Sequence, residues 1–94
     1  MMNKTLTFPL KLNQLTSIDI HVSTQKGSST LKVDRRVIGQ LKSLGTLDET
    51  ITRIADHFGV EYRGGQLFIK VPENQLKMGK DKILQTIVIL ATKK

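Results

Sequence analysis

Two histidines, a Gly-Lys dipeptide, a serine pair and two groups of cationic side chains are the residues of this 94-residue chain with chemistry to offer. His21 and His57 have Asp19 and Asp56 as near neighbours in sequence. A metal ion asks for three or four ligands in a defined geometry. Both histidines fall on the polar side of their local hydropathy pattern, so they read as surface histidines and no metal site is expected. Gly79-Lys80-Asp81 looks like the end of a phosphate-binding loop, whose backbone amides cradle phosphates while a following hydroxyl ligates magnesium. That loop needs a glycine at position 74 and Ser or Thr at position 81, and the chain has Asn74 and Asp81 there. Ser28-Ser29 sits in a turn sequence without the flanking pattern of a nucleophile elbow. The chain has no cysteine, which excludes disulfides, zinc-thiolate sites and thiol nucleophiles. The expectation is a protein that is not an enzyme and uses no cofactor.

Charge is the unusual bulk property. Fifteen Lys and Arg against eight Asp and Glu leave a formal charge of +7, with an isoelectric point near 10.0. Such a field attracts acidic macromolecules, nucleic acid above all. The cations form two groups. Arg35 and Arg36 lie close to Lys32, and Lys77, Lys80 and Lys82 follow Lys70. Between them stand Asp48, Glu49, Asp56 and Glu61 against Arg53. The expected interface is a basic strip of Lys32, Arg35, Arg36, Lys70, Lys77, Lys80 and Lys82 with Phe68 as an apolar anchor. It would engage nucleic acid or a host nucleoprotein; the plainer alternative is a solvated face. Single-strand binding by stacking needs several exposed rings, and only Phe68 and Tyr62 are offered.

Ile51 to Val60 matches the first half of a helix-turn-helix, with Ala55 as the small helix residue and Gly59 as the turn glycine. The motif then requires a recognition helix. Glu61-Tyr62-Arg63-Gly64-Gly65-Gln66 follows instead, and two adjacent glycines inside a helix cost about 2 kcal/mol. A strand is the better reading.

The elements that position these residues follow from hydropathy period. Leu6, Phe8, Leu10 and Leu12 alternate with polar residues, predicting a strand with one buried face, and Pro9 on the outward set suggests an edge. Ile18, Ile20 and Val22 predict a second strand, Gln25 to Ser28 a turn around Gly27, and Leu31 and Val33 a third strand. The period then changes. Val37, Ile38, Leu41 and Leu44 form the stripe of a short helix that Gly45 can end. Thr46-Leu47-Asp48-Glu49 reads as a capping box for a second helix whose stripe is Leu47, Ile51, Ile54, Ala55 and Phe58. Val60 to Val71 reads as a hairpin with Gly64-Gly65 at its tip, which pairs Tyr62 with Leu67 and turns Phe68 to the other face. Pro72 ends that strand. A last helix begins near Asn74 and carries Leu76, Ile83, Leu84, Ile87, Val88, Leu90 and Ala91 on a broad stripe, with Ile89 on its polar side.

The order β-β-β-α-α-β-β-α predicts an α+β fold: an antiparallel sheet of about five strands with three helices on one face, in a single domain over residues 1–94. The longest apolar run, Ile87 to Ala91, is far short of the roughly 20 residues that span a bilayer. No membrane contact is expected, the opening residues do not read as a signal peptide, and a cytoplasmic location follows.

These landmarks resemble the bacterial and phage domain-of-unknown-function family 1828. The resemblance rests on Ile18-Asp19-Ile20-His21-Val22, Gly27, Leu31-Lys32-Val33-Asp34, Leu44-Gly45, His57-Phe58-Gly59-Val60, Gly65-Gln66-Leu67 and Leu84-Gln85, over residues 17 to 91. Arg35-Arg36 replaces the glycine that family implies after the strand-end aspartate. The resemblance implies a home in bacteria, phages or mobile elements and brings no activity. Two rivals to nucleic-acid binding are therefore carried forward. One is a phage-encoded inhibitor of a host defence protein, an anti-CRISPR or anti-restriction factor anchored by Phe68. The other is an antitoxin-like or structural oligomer, a homodimer included, built on the apolar last helix.

Overall fold

Five alternating segments form one antiparallel sheet in the order β1-β2-β3-β5-β4. The computed structural model describes residues 2–9 and 16–92. Within them lie β1 (Met2–Phe8), β2 (Ile18–Gln25), β3 (Ser28–Val33), α1 (Arg35–Ser43), α2 (Asp48–His57), β4 (Glu61–Arg63), β5 (Gln66–Pro72) and α3 (Leu76–Thr92). A single 3₁₀ turn, Glu73–Gln75, leads into α3. The fold class and the element order are those predicted. Leu10 and Leu12, assigned above to the first strand, lie outside the described residues.

The period-two pattern divides the sheet into a covered and an open face. Ile18, Ile20, Leu31, Val33 and Leu67 are fully buried beneath the helices. Each such side chain contributes about 1.5–3 kcal/mol on leaving water. From the helical layer, Val37, Ile38, Leu41, Ile51, Ala55, Ile83, Ile87 and Leu90 close onto them. The two buried hydroxyls are satisfied: Ser29 pairs with Thr24 at 2.8 Å, and Thr86 donates to the Lys82 carbonyl at 2.8 Å.

Local chemistry explains the joints. The β4–β5 tip is Gly64-Gly65 with φ of 58° and 75°, and Tyr62 pairs with Leu67 as the turn dictates. At the β2–β3 turn Lys26 also adopts a positive φ, 52°, beside Gly27, which the glycine alone did not signal. Helices α1 and α2 end alike. Gly45 N–H donates to Lys42 O and Thr46 N–H to Leu41 O; Gly59 N–H donates to Asp56 O and Val60 N–H to Ala55 O. Both are Schellman closures, which return the last carbonyls to hydrogen bonding.

The first closure overturns the predicted capping box. Because the Thr46 amide is committed to α1, α2 starts one residue later, with Leu47 at its N-cap and no side-chain cap. Asp48 and Glu49 in the first turn complement its exposed amides instead. The same shift leaves Leu47 61% exposed, and Leu44, at the end of α1, 54% exposed. Neither joins the stripe assigned to it. Asp34 caps α1 by accepting the Arg36 N–H at 2.9 Å.

On α3, Ile83, Ile87 and Leu90 are buried as expected, but Val88 points outward with Ile89, each 40% exposed. Gly79 is buried where α3 crosses the sheet. A Cβ there would stand 3.2 Å from both Val71 methyls and 3.3 Å from Leu31. Its place is thus explained by close helix–sheet approach.

Candidate nucleic-acid interface

The face of the sheet that carries no helix is ruled into rows by strand register. One row runs Thr5, His21, Lys32, Phe68, Glu61 across all five strands; the next runs Asn3, Ser23, Thr30, Lys70 across four. Alternation put these side chains outward, and antiparallel pairing brought them abreast. Two shallow hollows that share Ser23 and Thr30 lie on this surface. One is bordered by Lys26 and Lys70, the other by His21 and Lys32.

The carboxylates of this face are held by neighbours. Asp19 accepts from the Thr7 hydroxyl at 2.8 Å and lies 3.5 Å from the Arg36 guanidinium. Asp34 accepts from that guanidinium at 3.2 Å and has His21 Nε2 at 3.8 Å. The Arg36 backbone N–H, and then its guanidinium, hold the Asp34 carboxyl below the usual range. Thr5 Oγ1 meets the other imidazole nitrogen of His21 at 3.1 Å. Arg63 is bound to Glu61, and its guanidinium carbon sits 5.9 Å from the Phe68 ring centroid. Lys26, Lys32 and Lys70, by contrast, have no ion-pair partner among the described residues. The uncompensated charge of these rows and their bordering turn is therefore positive.

The predicted strip is regrouped by the fold. Lys70 stands with Lys32, one register step apart on adjacent strands. Lys77, Lys80 and Lys82 ride α3 on the other side of the sheet, although they follow Lys70 closely in sequence. Arg36 is committed to Asp19 and Asp34, and Arg35 is exposed at the start of α1. A contiguous basic strip through all seven cations is thus corrected to two separate surfaces, because strand parity sends Lys70 away from the helices. Phe68 and Ile89 do not meet either, since the sheet lies between them. Ile89 instead borders a hollow with Phe58, Leu84 and Val88.

Lys26, Ser23, Thr30 and Asn3 were missed in the sequence. Outward parity on β1 to β3 could have found all but Lys26, which only the turn conformation brings beside Ser23 and Lys70. Among the described residues no cluster of three or more His, Asp or Glu could hold a metal. No described helix is long and apolar enough to cross a membrane.

The geometry of the described residues defines a class: a five-stranded antiparallel sheet backed by three helices, with a polar face that none of those helices covers. No family model matches the chain, and comparisons with curated proteins and with solved structures found no match.

Proposed function

We propose that this is a non-catalytic binding protein that lays a single-stranded nucleic acid across the open face of its sheet. What supports the reading is one asymmetry: the carboxylates there are held by partners, while Lys26, Lys32 and Lys70 are not. Ammonium groups beside Ser23, Thr30 and Asn3 offer the charge and hydrogen bonds that phosphate oxygens take. A flat, sparsely aromatic surface suits backbone contacts more than base stacking, so binding is sequence-tolerant and salt-sensitive. In this reading the setting is the bacterial or phage one that the resemblance to family 1828 implies, and the cytoplasm is the location that fits such a partner.

Fluorescence anisotropy with a labelled oligo-dT over about 50–200 mM salt tests this. Three neutralised phosphates give log K a slope near −2 against log salt. No binding at about 50 mM salt removes the proposal.

The apolar group of exposed Val88 and Ile89 beside partly buried Phe58 and Leu84 favours a second reading, a stoichiometric inhibitor that docks on a host defence protein, as anti-CRISPR and anti-restriction factors do. A nuclease-resistant protein captured from host lysate supports it; capture lost on nuclease treatment supports the first reading. An antitoxin-like homodimer through the same group is a third, and light scattering that shows a strict monomer removes it.

A further inference from the structure

The other side of the sheet carries a feature that owes nothing to the open face. Among the described residues β1 is an edge strand, paired along Met2–Phe8 with β2, and its outer margin presents a row of backbone N–H and C=O groups to which no described strand pairs. Its helix-side residues are Lys4, Leu6 and Phe8, in register with Val22, Ile20 and Ile18. Those partners are buried to 2% exposure or less, whereas Leu6 and Phe8 are only partly buried, packed against the margin of the core. The helical layer therefore stops short of β1 and leaves a trough. Lys4, Leu6, Phe8, Leu76, Lys77 and Lys80 line it, around about 360 Å³, a volume within the range of ligand clefts.

The trough has an apolar floor and a cationic rim. Lys80 Nζ lies 5.8 Å from the Phe8 ring centroid and 4.0 Å from the carboxylate of Asp81, while Lys4 and Lys77 have no ion-pair partner among the described residues. Among the described residues no carboxylate lines it. A second copy of this chain would bring like charges to the same seam. A nucleic acid would use neither the aliphatic floor nor a strand's backbone register. An extended peptide uses all three features: backbone groups pair with the edge, alternate apolar side chains enter the trough, and flanking carboxylates meet the lysines.

We propose that the outer edge of β1 binds an extended acidic segment of a partner protein by strand addition, with aliphatic side chains over Leu6 and Phe8 and carboxylates against Lys4, Lys77 and Lys80. The probe is a fluorescein-labelled peptide, Glu-Thr-Val-Thr-Leu-Thr-Glu, titrated with the intact chain. Its helix-side positions read Glu, Val, Leu, Glu. Saturable binding is expected, and methylation of alternate backbone nitrogens weakens it by at least about tenfold, because each lost donor removes a strand hydrogen bond. The variant Lys4→Glu with Lys77→Glu, both exposed positions, weakens binding by about tenfold. Its fold is checked by circular dichroism, and the peptide with Lys in place of both Glu residues gives the same test without altering the protein. Four results overturn the proposal: no binding at about 1 mM peptide, equal binding of the methylated peptide, equal binding of the lysine peptide, or displacement of the bound peptide by oligo-dT. Failure of oligo-dT to bind the open face would leave it standing.

Discussion

The Tyr62 hydroxyl donates to a carboxylate oxygen of Asp48 across 2.6 Å, and Lys42 Nζ reaches the same oxygen at 2.9 Å. One exposed carboxylate thus joins α1, α2 and β4. The Tyr62 hydrogen bond first, and Lys42 second, hold Asp48 below its ordinary range. Asp34 is lowered as well. A carboxyl whose folded pKa is depressed adds stability above its unfolded pKa and loses it as pH falls through the folded value. Urea midpoints should therefore be level between about pH 5 and pH 8 and decline below about pH 4. Replacing Asp34 and Asp48 with Asn should flatten that decline; an unchanged acid profile contradicts the assignment.

Tyr62 itself predicts behaviour in alkali. Burial, then the hydrogen bond to Asp48 and its charge, raise its pKa, so its contribution is intact below about pH 10 and fades above it. Tyr62→Phe should lower stability modestly at neutral pH and remove this alkaline loss, which denaturation at several pH values would read.

Gly79 is the point where helix propensity and packing oppose each other. Alanine in a helix interior gains up to about 1 kcal/mol over glycine. The added Cβ would press on Val71 and Leu31 at 3.2–3.3 Å, and overpacking of this kind costs about 1–3 kcal/mol. Gly79→Ala should thus destabilise on balance, and Gly79→Val more. A more stable Gly79→Ala protein would show that α3 lifts freely from the sheet.

Side chains on α3 should divide sharply by face. Ile87 is fully buried and Ile89 is 40% exposed. Ile87→Ala should cost about 2–5 kcal/mol, whereas Ile89→Ala should stay within about 0.5 kcal/mol. Equal losses at both positions would mean that the outer face of α3 is covered in solution.

For the open face, Lys32→Glu and Lys70→Glu should each weaken oligo-dT binding, with removal of one phosphate contact making the salt slope shallower by about 0.7. Lys82→Glu, on the far side, should change the slope much less. Equal effects from all three would mean that net charge, not this surface, governs binding.

The fold was legible wherever a local rule settled the outcome. Period-two alternation marked Ile18 to Val22 as one buried strand face, and Gly64-Gly65 set the Tyr62–Leu67 register. The candidate surface was only partly legible. Lys32 and Lys70 could be read as outward, but grouping Lys70 with Lys77 by sequence distance ignored that strand parity and helix packing put them on opposite sides of the sheet. The capping box failed for a similar reason: Thr46 fits the motif locally, yet its amide is claimed by the preceding helix. Leu44, Leu47 and Val88 have the spacing of core residues, and their exposure depends on where neighbouring layers end.

The central pairing of β3 with β5 has a temporal side. On the ribosome, the hairpin of β2 and β3 is complete at Val33, while β5 does not finish until Pro72. At about 5–20 residues per second that interval lasts roughly 2–8 s. Throughout it, the strand bearing Leu31 and Val33 has one unzipped margin, and α3 has yet to be made. The nascent chain must pass through a sticky half-sheet before its own later segments can seal it.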